Sequence, residues 1–164
     1  MMDAMSDRLH ILFRPTSFFS RNREVVVDGV VRTRLERHVF SRRCDVHLDG
    51  RAYSMRPKGF FGRHYVLELA GEEIARVERT GFIKNRYSFV SSGPRTLVIV
   101  PRGFWRPSYA LLDGEREVGR FSNQGTFGSQ LVGDLPADTP LPLALFMGFV
   151  CLTVREERDT NASS

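Results

Sequence analysis

The chain has 164 residues, 41% of them hydrophobic and 26% charged, with a net charge of +5 at neutral pH. Those values suit a single globular domain with a sizeable core, and they exclude a disordered chain, a collagen-like chain and a disulfide scaffold. The basic balance favours anionic partners, but 22 of the 24 cations are Arg, and a bias of that kind names no partner by itself.

Residues 1–7 read as an unordered start. The apolar stretch Leu9–Phe13 that follows is too short for a secretory signal, and its flank, with Asp3 and Asp7, is too acidic. Cys44 and Cys151 are therefore expected as free, reduced thiols of a cytoplasmic protein.

From Pro15 the sequence repeats. Pro15-Thr16-Ser17-Phe18-Phe19-Ser20-Arg21 aligns with Pro57-Lys58-Gly59-Phe60-Phe61-Gly62-Arg63 and with Pro101-Arg102-Gly103-Phe104-Trp105-Arg106-Pro107, at offsets of 42 and 44 residues. A short apolar alternation follows each opening and ends in a turn: Asp28-Gly29, Ala70-Gly71 and Asp113-Gly114. Asp-Gly between such alternations marks a hairpin, because the turn needs positive φ. Arg34, Arg76 and Arg120 then fall at equivalent places and suggest a surface stripe. The first two units carry a second hairpin signal, Asp49-Gly50 and Ser92-Gly93. Units at about 15–56, 57–100 and 101–134 thus hold four, four and three strands, and Leu9–Phe13 supplies one more. The expectation is a mainly β protein, a closed antiparallel barrel of about twelve strands within one domain over 8–155. Three propeller blades would be too few to close.

Gly133–Pro140 is rich in turn formers, and Thr139 and Pro140 suit the N-cap and first position of a helix over 140–154. Residues 156–164 read as an unordered tail. The run Leu141–Val154 is apolar almost throughout. About 14 residues rise roughly 21 Å, short of a bilayer core of about 30 Å. Such a helix can plug a barrel, form a strained membrane anchor or cover an oligomer contact. The plug answers a need of the sheet, since twelve strands enclose more room than their own side chains fill.

Gly-containing hairpins, the link Asp134-Leu135-Pro136, a final apolar helix and the stretch Tyr109–Arg120 together resemble the tubby C-terminal-like superfamily. That group includes tubby proteins, LURP-one-related proteins and phospholipid scramblases, and this chain is similar to a small single-domain member of bacterial type. The resemblance implies a twelve-stranded barrel around a hydrophobic C-terminal helix. It also implies contact with lipid or a membrane face, without catalysis.

The repeated loops are the sharpest local feature. Lys58, Phe61, Arg63, Arg102, Trp105 and Arg106 combine cations with aromatic rings, which suits a membrane interface. The alternative is structural: one ring per loop packs into the barrel while Pro and Gly shape the turn. The same mixture could stack bases, so nucleic acid ranks below lipid or a protein partner. Asp45, His47 and Asp49 share one strand face, where a solvated surface outweighs a metal site. No nucleophile elbow, phosphate loop or zinc motif occurs, so the expectation is a non-enzymatic cytoplasmic module without cofactor that binds anionic lipid or a protein partner through an Arg-rich barrel face, the alternative being a small-ligand or nucleic-acid binding barrel without catalysis.

Overall fold

Alternating apolar side chains, cut every few residues by a tight turn, leave the chain one economical arrangement: each strand pairs with the next. A computed structural model describes residues 8–17, 20–38, 42–58, 64–80, 86–91, 96–103, 108–125 and 129–162. The strands are β1 (Arg8–Pro15), β2 (Arg23–Val27), β3 (Val30–Arg37), β4 (Cys44–Leu48), β5 (Arg51–Lys58) and β6 (His64–Leu69). They continue as β7 (Glu72–Thr80), β8 (Arg86–Ser91), β9 (Leu97–Arg102), β10 (Ser108–Asp113), β11 (Arg116–Gln124) and β12 (Gln130–Pro136). All pairings are antiparallel, and β1 closes the sheet by pairing with both β2 and β12. The protein is a twelve-stranded barrel, mainly β, with one helix, α1 (Leu141–Ala162).

A register shift interrupts the ladder after Val25, Leu67 and Leu111, so the bulges recur at the 42- and 44-residue spacing of the aligned sequence segments. The turns at Asp28-Gly29, Asp49-Gly50 and Ala70-Gly71 place both central residues at positive φ, the geometry that suits the twist of the flanking strands. Ser92-Gly93 lies outside the described residues, as do residues 1–7.

The helix runs inside the barrel. Every described side chain from Ala144 to Val154 is buried, and these join the inward residues of the strands in one core. Strands from different sides of the wall grip it. Tyr65 of β6 meets Phe149 edge-on at 6.0 Å, and Phe89 of β8 meets Phe146 at 5.6 Å. Phe13 of β1 lies so close that a Cβ on Gly148 would stand 2.1 Å from its Cζ. Thr153, the polar residue within this run, donates from Oγ1 to the Phe149 carbonyl at 2.9 Å and so buries no open donor. No described helix is long and apolar enough to cross a membrane.

Three boundaries differ from the sequence reading. The link expected from Gly133 is strand through Pro136, because β12 finds partners on both sides, and Gly133 admits the close approach of Ile11 and Phe121. Ala144 N donates to the Pro140 carbonyl at 3.0 Å, so Pro140, not Thr139, holds the cap position. The tail expected to be unordered from 156 is helical through Ala162, anchored where Glu156 and Glu157 meet the barrel mouth.

A methyl group at 148 has no room. Gly148→Ala should gain up to about 1 kcal/mol of helix propensity but lose more to overpacking, typically about 1–3 kcal/mol and more where an aromatic ring must move. The thermal midpoint should fall by roughly 2–4 °C for each net kcal/mol lost. An unchanged or raised midpoint would contradict the threaded packing.

Candidate functional site

An antiparallel meander sorts its connections onto two rims. Odd-numbered strands end, and even-numbered strands begin, at the rim served by residues 16–22, 38–43, 59–63, 81–85, 103–107 and 125–129. Short turns serve the other rim. Because β12 ends at the turn rim, α1 enters there and emerges at the long-loop rim.

At that exit the lumen ends in a polar layer. Arg23 of β2, Arg37 of β3, Tyr65 of β6 and Asn123 of β11 share the inward parity of the buried Val25, Leu35, Leu67 and Phe121. They form a collar around the end of the apolar helix segment. Arg37 is 7% exposed and holds both carboxylate oxygens of Glu156, while its guanidinium stands 6.0 Å from the Phe149 ring centroid. Its amide donates to Asn22 Oδ1 at 2.9 Å, which ties the first loop to the collar. Arg42 and the Tyr65 hydroxyl both donate to Glu157, at 3.1 and 2.9 Å. Burial, reinforced by the Glu157 charge, pushes the Tyr65 phenol well above its ordinary range, so it remains a donor. Arg155 Nη1 donates to Asn123 Oδ1 at 3.2 Å.

Of the loop residues singled out in the sequence, Lys58 and Arg102 are described, exposed and on the same rim. Phe61, Arg63, Trp105 and Arg106 lie outside the described residues. The strands that carry Lys58 and Arg102 are four apart, roughly 19 Å along the wall at about 4.8 Å per strand. They do not converge on one pocket. Lys58 also faces Glu73 at 3.4 Å, an exposed pair of little strength.

Five cations of the barrel wall have acids beside them: Arg14 with Glu24, Arg32 with Asp49, Arg56 with Glu68, Arg76 with Glu78, and Arg120 with Glu117. An Arg-rich wall is therefore not a free positive face. Arg34, Arg76 and Arg120 each flank the outward residue of the preceding strand: Glu24, the buried Val66 and the buried Ala110. They stand on β3, β7 and β11, four strands apart, and so lie on separate thirds of the wall and not in one stripe.

An outer groove of about 540 Å³ crosses β4 to β6. Within it, Asp45 accepts from His38 at 2.7 Å and from Arg43 and Ser54 at 3.1 Å. Burial raises the Asp45 pKa, but these three hydrogen bonds outweigh it and hold the carboxyl below its ordinary value. Three donors thus already hold Asp45, and Asp49 turns instead to Arg32. No group of three metal-ligating side chains occurs among the described residues.

The collar residues carry no motif. The available signal was parity: a charged residue at the rim end of a strand, in step with inward apolar neighbours. Comparison with protein-family models, with characterised proteins and with solved structures finds no match.

Cys44 begins β4 just below the collar, and it and Cys151 are free and buried. Burial pushes the Cys44 thiol up to about 12 and Cys151 well above its usual value. Both groups stay protonated when folded and ionise earlier when unfolded, at about 8.5–9. Their contribution is complete below that pH and is lost as pH climbs toward 12. Urea unfolding should show a midpoint that falls from pH 8 to pH 10.5, and Cys44→Ala should flatten that fall. An equal slope in the variant would remove the assigned cause.

Proposed function

We propose that the protein is a non-enzymatic binding module, cytoplasmic and peripheral, that docks on anionic membrane lipid through its long-loop rim. The carrying observation is the separation of charge between the two rims. Each of the six segments that join strands at the long-loop rim contains Phe and none contains an acid; they contribute Arg21, Arg63, Lys84 and Arg106, besides Arg42 and Arg43, which are paired with Glu157 and Asp45. The segments of the opposite rim contribute Asp28, Asp49, Glu115 and Asp138 against Arg95 alone. Rings beside cations are the pairing that favours a headgroup layer, where the ring sits at interfacial depth and the cation meets anionic lipid.

Geometry agrees with an extended surface as the partner. Lys58 and Arg102 stand too far apart to clasp one small molecule, and the helix side chains occupy the barrel interior. The tubby-like resemblance points the same way.

Cosedimentation with phosphatidylcholine vesicles containing phosphatidylserine should show binding at low salt that disappears as salt rises. At about 1 kcal/mol per cation near an anionic surface, the double variant K58A/R102A should bind about 30-fold more weakly. Absence of binding at low salt would overturn the lipid reading. Nucleic-acid binding with a linear fall of log affinity against log salt, in place of vesicle binding, would replace it.

A further inference from the structure

Among the described residues of the collar, Arg23 has no carboxylate partner. Arg37 takes both oxygens of Glu156, and Arg42 holds Glu157. Arg23, beside them on the inward face of β2, meets only main-chain acceptors: its Nη1 donates to the carbonyls of Ser20 at 3.1 Å and Asn22 at 3.3 Å. Its Nε is buried and finds no acceptor among the described residues. A buried donor left unmade is costly, and more so on a charged group. The surroundings increase the cost. Burial first, and then the charge of Arg37, lower the Arg23 pKa; Glu156 opposes this, and Arg155 adds to it.

The direction of that open donor is informative. Nε shares an edge of the guanidinium with Nη2, and this edge forms the fork that takes two oxygens of a carboxylate or phosphate. The Nη1 bonds hold the side chain against the 16–22 loop, which is itself closed by Thr16 N to Asn22 O at 3.3 Å and Asn22 N to Ser20 Oγ at 3.0 Å. The fork is thus positioned before any ligand arrives. Arg37 and Arg155 lie near enough to act on its charge, with Glu156 opposing them, so the fork, rather than the field, is what selects an oxyanion.

We propose that the Nε edge of Arg23 is an oxyanion site at the mouth of the barrel that takes a phosphate group. The site stands apart from the membrane reading, because the group can be inorganic phosphate or the phosphomonoester of a lipid headgroup. Only the second requires docking.

Thermal unfolding of the full chain in phosphate, against chloride at matched ionic strength, tests the site in solution. Phosphate at about ten times its dissociation constant should raise the midpoint by roughly 3–6 °C. Arg23→Met should lose that rise. Arg23→Lys keeps the charge without the fork and should lose most of it. Arg76→Met, a change on the wall, should keep it. A second arm compares vesicles carrying phosphatidic acid with vesicles carrying phosphatidylserine at equal mole fraction. A preference for phosphatidic acid that Arg23→Lys abolishes identifies the lipid headgroup; a phosphate shift without that preference identifies free phosphate. A shift retained by Arg23→Met overturns the site. So does the absence of both the shift and the preference, even if vesicles bind.

Discussion

The constraint on which the fold depends is the width of its lumen. Twelve strands enclose a space that their own inward side chains cannot fill. An unfilled interior would forfeit the dispersion contacts and close packing that a core requires. The helix fills it, and the ring of Phe13 lies against the bare backbone of Gly148. Much else follows from that insertion. The helix is apolar on all sides because wall surrounds it on all sides. The strand count is coupled to the helix, since a barrel of about eight strands is filled by its own side chains.

Insertion also decides where charge can begin. While α1 lies within the wall, its side chains are apolar or, like Thr153, internally satisfied. At the exit the partners change together: Arg37, Tyr65 and Asn123 turn inward where Glu156, Glu157 and Arg155 arrive. Arg37 serves both sides of this boundary, with its guanidinium near the Phe149 ring and its donors on a carboxylate. The collar is the sheet's answer to a helix that outlasts the barrel. Arg23 is the member whose own partner the described residues do not supply.

The sequence was legible where one residue determines geometry. Asp-Gly turns and strict alternation place the strands, and the apolar run places the helix. Legibility fails where a property depends on the neighbouring strand. Arg14, Arg32 and Arg56 look like a positive face until the register sets acids beside them. Gly133 reads as a turn residue, yet it serves a close approach between strands. The helix end is not legible because Glu156 and Glu157 look solvent-bound, whereas their partners, Arg37, Arg42 and Tyr65, lie about a hundred positions earlier in the chain. Lys58 and Arg102 could be identified as exposed cations; that they share a rim required the parity of the strand count.

Filling the lumen with the chain itself moves any ligand to the outside, and the two rims are not equivalent candidates. β3 has eight residues and at about 3.3 Å per residue spans roughly 26 Å. A strand tilt of about 40° leaves a rim-to-rim height near 20 Å, more than twice the Debye length of about 8 Å at physiological salt. Each rim therefore presents its own field, and the acids of the tight turns do not cancel the cations of the long loops. Wall charges, paired strand to strand, contribute little between them. In the membrane docking proposed above, the loop rim faces the anionic surface and the turn rim faces away, which places the collar on the docking side.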